Sequence, residues 1–101
     1  MKSSVIDFLN DLNPRRFTNN TQKALYKLLT SSDGWVKLSE LRVPSPASRI
    51  RDLRKEKFGG FEINCRSAAE LDKRGDQHTF YYKINQRNLT VGKVRRVFNN
   101  Q

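Results

Sequence analysis

Near the N-terminus, apolar residues recur at helical spacing. Val5, Ile6, Phe8, Leu9 and Leu12 predict a short helix over Val5–Leu12, with Ser4 as its cap and Asn13-Pro14 as its stop. Arg15–Asn20 then reads as a linker or loop. The stripe Ala24, Leu25, Leu28 and Leu29, with Lys23 and Lys27 outside it, predicts a second helix from a cap at Asn20 to about Ser31. Ser31-Ser32-Asp33-Gly34 is a turn cluster. Trp35–Leu38 is short and partly alternating, which suits a small strand, and Ser39 is placed to cap a short helix over Glu40–Val43.

Pro44-Ser45-Pro46 is the sharpest local signal in the chain. Pro44 breaks what precedes it, Ser45 is a residue type favoured at helix caps, and Pro46 has the fixed φ that suits a first helical position. The helix expected from there runs over Pro46–Lys57, with Ala47, Ile50 and Leu53 on its inner face, until Gly59-Gly60 ends it. Phe61–Arg66 alternates as a half-buried strand does, with Phe61, Ile63 and Cys65 on one side. Thr79–Ile84 reads as its partner, with Phe80, Tyr82 and Ile84 inward and Tyr81 outward, free to stack or to bind a phosphate. Between the two lies a long charged tip that turns at Gly75-Asp76. Thr90 is placed to cap a last helix, Val91–Phe98, whose stripe is Val91, Val94, Val97 and Phe98.

The pattern predicts an α+β fold, a winged helix-turn-helix: a three-helix core and a β-hairpin wing, with extra N- and C-terminal helices. It divides the chain into an N-terminal helix and linker (1–20), a winged domain (21–85) and a basic C-terminal helix or tail (86–101). The two terminal stripes can pack on each other in one chain, or form a two-fold interface that would match a palindromic operator. The second arrangement, a homodimer through the terminal helices, is the expectation carried forward.

Composition narrows the function. At 101 residues the chain has enough apolar material for one small core, and a deep two-walled active site is not expected. No nucleophile–His–acid set or glycine-rich phosphate loop is evident, so the chain is not expected to be an enzyme. No apolar run approaches the roughly 20 residues of a membrane span. The opening Met1-Lys2-Ser3-Ser4 is not followed by a long apolar segment, so no signal peptide is expected. Cys65 is the single cysteine and His78 the single histidine, which leaves neither an internal disulfide nor an ordinary zinc site. No cofactor, metal or small-molecule ligand is expected, and the cytoplasm, here of a bacterial host, is the expected compartment.

Charge changes the picture most. Twenty Lys and Arg stand against ten Asp and Glu, a formal net charge of +10. Six bases fall between Arg42 and Lys57 against Asp52 and Glu56, and no acid follows Asp76. Two basic blocks on such a pattern point to a polyanion, most often nucleic acid.

The residues Ala47-Ser48-Arg49-Ile50-Arg51-Asp52-Leu53-Arg54-Lys55, followed by Gly60-Phe61-Glu62-Ile63, carry a resemblance. From Thr21 to Asn85, about two thirds of the chain, the sequence resembles the small helix-turn-helix domains of bacteriophage and prophage proteins. Their pattern is a helix ending in a polar turn, a short helix, then A-x-R-I-x-D-L-R-K, a glycine, an aromatic and an apolar strand. Here Glu56-Lys57-Phe58-Gly59 lengthens the junction between helix and strand. The resemblance implies DNA binding.

A major groove about 12 Å wide admits one helix. Arg49 and Arg51 are the candidates for guanine edges, and Asp52 is the candidate to orient an arginine or accept from cytosine. Ser45 and Ser48 at the helix start, and Lys55 and Lys57 at its end, are the candidates for phosphate. Arg54 is expected to pack its stem and find a partner within the chain. At the wing Lys73, Arg74 and Gln77 are candidate contacts, and before the second helix Arg15 and Arg16. The expected function is sequence-specific binding of double-stranded DNA, as a phage or mobile-element transcriptional regulator that acts by operator occupancy. Alternatives are a DNA-bending recombination or replication accessory factor, a winged module that binds a host protein, and an RNA binder.

Overall fold

Leu25, Leu28, Leu29, Ile50 and Leu53 are each at most 4% exposed, and the rest of the fold is arranged around their contact. The computed structural model describes residues 3–76 and 78–99. Over these described residues it is an α+β fold with four α-helices and a three-stranded antiparallel sheet. In chain order these are α1 (Ser3–Asn10), α2 (Asn20–Thr30), β1 (Val36–Lys37), α3 (Pro46–Arg54), β2 (Ile63–Ser67), β3 (Phe80–Ile84) and α4 (Val91–Asn99). Single turns of 3-10 helix lie at Pro14–Arg16, Leu38–Leu41, Glu56–Phe58 and Gln86–Asn88. The strand order is β1-β3-β2, with Val36 opposite Tyr82 and Cys65 opposite Tyr82 on the other side.

One core runs through all three expected segments, from Val5 and Leu9 of α1 to Val94, Val97 and Phe98 of α4. The terminal helices pack on the core and on each other: the Phe8 and Phe98 rings lie 6.0 Å apart, and Phe17 stands 5.1 Å from Phe98. Arg95 lays its guanidinium 5.5 Å over the Phe8 ring. The stripes expected to offer a two-fold interface are therefore spent within the chain, and of α1 only Ile6 is a large exposed apolar side chain.

Gln22 locks this arrangement. It is 3% exposed, and its amide nitrogen donates to the carbonyls of Val97, at 3.2 Å, and Phe98, at 3.3 Å. These lie at the C-terminal end of α4, where helical carbonyls lack partners of their own. Its amide oxygen accepts from the Thr18 N–H. The cap of α2 is Asn19 rather than Asn20, with Oδ1 accepting from the Gln22 N–H at 2.8 Å.

Other expectations shift for physical reasons. The Leu38–Leu41 turn begins before Ser39, because the Glu40 carboxylate accepts from the Lys37 N–H at 2.9 Å. The helix from Pro46 stops at Arg54, not Lys57. There the Phe61 N–H bonds the Leu53 carbonyl and the Gly60 N–H bonds the Lys55 carbonyl, so the chain turns back early to bury Phe61. Gly59, at φ +105°, permits that turn, and a Cβ there would meet the Phe61 ring and the Lys93 carbonyl. On β3 the expected exposure is reversed at two positions: Phe80 is 43% exposed and Tyr81 only 6%. The connection after β2 folds back over the outer face, where the Tyr81 hydroxyl donates to the Arg74 carbonyl and the Lys37 and Lys73 ammoniums lie over the ring. Tyr82 and Ile84 keep the core side, and burial pushes the Tyr82 hydroxyl pKa up, Cys65 beside it adding to the effect.

Replacing Gln22 with Leu leaves the two α4 carbonyls buried without that donor. An urea titration is expected to show a loss of about 1–3 kcal/mol, and an unchanged midpoint would contradict the clamp. Light scattering at micromolar concentration is expected to give a mass near 11.8 kDa, because the terminal stripes are occupied. A mass of twice that value would require a different interface.

Candidate nucleic-acid interface

A helix repeats every 3.6 residues, so each residue turns about 100° from the last. Ile50 and Leu53 fix the inward side of α3, at 2% and 0% exposure. Arg51 then faces outward with Ser48 near it, and the Arg51 Nη2 donates to the Ser48 Oγ at 3.2 Å. Ala47, Arg51, Arg54 and Lys55 are exposed. Ala47 thus lies on the outer flank instead of the inner face, because each three-residue step falls about 60° short of a full turn and two such steps carry Ala47 about 120° from Leu53.

The helix begins without the expected cap. Ser45 sits in the left-handed region at φ +49° and its side chain caps nothing, although its carbonyl accepts from the Ser48 and Arg49 N–H groups. Arg42, at φ +53°, is the other left-handed residue of this turn. The two reversals bring the chain tightly from the Leu38–Leu41 turn into α3.

The flanks of α3 differ. On one, Arg54 reaches the sheet, its Nη2 donating to the Ile63 carbonyl at 2.8 Å, which gives it the intramolecular partner expected of it. On the other, Arg49 does not point outward. Its Nη2 meets the Asp52 Oδ2 at 3.2 Å, and the Lys55 Nζ reaches the Asp52 Oδ1 at 3.5 Å. Asp52 therefore gathers two bases. The Arg49 Nε is buried and has no hydrogen-bond partner among the described residues. Beside it opens a cleft of about 360 Å³, lined by Asn19, Thr21, Arg49, Asp52, Lys57, Phe58 and Val97. Lys57, carried out of the helix by the Glu56–Phe58 turn, is exposed and lies 5.4 Å over the Phe58 ring.

The remaining candidates stand apart. Lys73 forms an ion pair with Asp33. That hydrogen bond and the Trp35 N–H hold the Asp33 carboxyl below its usual range, and Asp33 in turn raises the Lys73 ammonium. Arg74 is exposed, and Gln77 lies outside the described residues. Arg15 and Arg16 are exposed on the Pro14–Arg16 turn, where the Asn13 Oδ1 accepts from the Arg15 N–H. Sequence reasoning left the α4 bases two positions, along a DNA backbone or around a partner contact. The Arg96 Nη1 donates to the Glu56 carbonyl at 3.3 Å, and the Lys93 carbonyl abuts Gly59, so both lie beside the end of α3.

Among the described residues no cluster of three His, Cys, Asp or Glu suits a metal ion, and no helix is long and apolar enough to cross a membrane. No protein-family model, curated protein or solved structure matches this chain.

Two capping positions make a direct comparison. Asn19→Ala removes a side-chain cap and is expected to cost about 1 kcal/mol, whereas Ser45→Ala, with no such bond to lose, is expected to cost less than about 0.5 kcal/mol. Equal losses in urea would mean that Ser45 caps α3 after all.

Proposed function

We propose that the chain is a sequence-specific double-stranded DNA-binding protein of the winged helix-turn-helix type, a phage or mobile-element transcriptional regulator that works by occupying an operator. Its element order supports the fold reading. In it α2, the Leu38–Leu41 turn and α3 take the places of the three core helices, β2 and β3 form the hairpin, and β1 adds the third strand. The observation that carries the functional reading is the state of α3. Its inner side is fixed by Ile50 and Leu53, while Ala47, Arg51 and Lys55 lie exposed on the far side.

In this reading α3 enters the major groove. Arg51 reads a base edge, since its planar fork matches guanine O6 and N7. The small Ala47 and Ser48 let the helix come close. Lys55 takes backbone phosphate, and Asp52 holds Arg49 and Lys55 in place. Arg49 serves the flank of the site and not the base edges, because its guanidinium is turned toward the cleft.

Selection of duplex fragments from the source genome is expected to return one preferred sequence. Arg51→Ala is expected to lose about 1–3 kcal/mol of discrimination at one base pair. A weak affinity blind to sequence and untouched by Arg51→Ala would favour a protein-binding module. Preference for single strands at equal salt would favour RNA.

A further inference from the structure

The two sides of α3 differ in charge as well as in packing. On the sheet side, the connection between Ser67 and Phe80 carries Lys73 and Arg74 against Glu70, Asp72 and Asp76, a net of −1 with His78 neutral. Lys73 is further engaged by Asp33, and Arg66 lies 3.9 Å from Glu70. On the other side, Arg49, Lys55, Lys57, Lys93 and Arg96 face only Asp52 and Glu56, a net of +3.

Helical spacing explains why the α4 bases Lys93 and Arg96 share this side. In α4, Val94, Val97 and Phe98 point inward. Lys93 and Arg96 fall on the Val97 side of that stripe, whereas Arg95 falls on the other and lies over Phe8. Val97 lines the same cleft as Arg49, Lys57 and Phe58. The Arg96 contact with the Glu56 carbonyl and the packing of Gly59 on the Lys93 backbone place α4 directly against the Glu56–Phe58 turn. Neither contact neutralises a charge. Among the described residues, Lys57, Lys93 and Arg96 have no carboxylate within ion-pair distance.

We infer that this flank, formed by Arg49, Lys57, Lys93 and Arg96, is a track for the phosphodiester backbone of a DNA duplex, and that α4 rather than the tip of the β2–β3 hairpin is the second contact beside α3. The inference rests on the DNA-binding reading above. It assigns α4 two tasks: its Val97 side closes the core, and the bases beside that stripe grip the strand that borders the groove.

Backbone contacts release counterions, so the slope of log K against log salt counts them, at about −0.9 per phosphate on duplex DNA. The test measures that slope on the full chain with a duplex of fixed sequence, for wild type, Lys93→Gln/Arg96→Gln and Lys73→Gln/Arg74→Gln. The α4 pair is expected to flatten the slope by about 1.8, while the hairpin pair is expected to change it by less than about 0.5. Arg96→Lys, which keeps the charge, is expected to keep the slope, and separates loss of a phosphate contact from loss of the Glu56 tether. A steep wild-type slope that the α4 pair leaves unchanged, or that the hairpin pair flattens instead, would overturn this inference and spare the DNA-binding reading. A wild-type protein that binds no duplex would overturn both.

Discussion

A nine-residue helix with two inward apolar side chains does not persist in water by itself. The stability of α3 is therefore borrowed, and the contact of Ile50 and Leu53 with α2 is the constraint on which the rest of the molecule depends. Fully burying a side chain of this size contributes about 1.5–3 kcal/mol, and truncating one to Ala costs about 2–5 kcal/mol. That contact fixes the rotation of α3 and so decides which residues face out. Two backbone-directed bonds complete it: Phe61 N–H to the Leu53 carbonyl, and Arg54 to the Ile63 carbonyl. The first ends the helix and the second ties its flank to the sheet.

The termini reinforce the same centre. α1 and α4 close the core next to α2, and Gln22 joins the start of α2 to the end of α4 across 75 residues of sequence. This placement brings the C-terminal bases beside α3. An excess of +10 spread evenly would serve solubility. Here ion pairing with Asp33 and the acids of the hairpin connection offset the charge on one side of α3, and the α4 side keeps a surplus.

The local pattern carried much of this fold. The inward placing of Ile50 and Leu53, the β2–β3 hairpin and both terminal helices follow from periodicity and turn residues. What the pattern missed depends on partners distant in sequence or on the path of the backbone. The end of α3 is set by where Phe61 must go. Ser45 looks like a cap by residue type, but a left-handed backbone aims its side chain elsewhere. Phe80 and Tyr81 alternate as any strand would, and only the connection folding over the sheet decides which of them is covered. By residue type and spacing alone, Arg49 and Arg51 are alike in the motif. Their difference appears once the cleft beside Asp52 exists. The pairing of Lys73 with Asp33 spans forty residues and leaves no local signature.

The central claim is that the bare side of α3 meets a duplex. Backbone amide chemical shifts, followed while the preferred duplex is titrated into labelled protein, test it most directly. The account predicts that the largest shifts map to Ala47, Ser48, Arg51 and Lys55, with a second group on the Lys93–Arg96 side of α4. Shifts confined to the Phe80 side of the sheet, or to Arg15 and Arg16, with α3 unmoved, would contradict it.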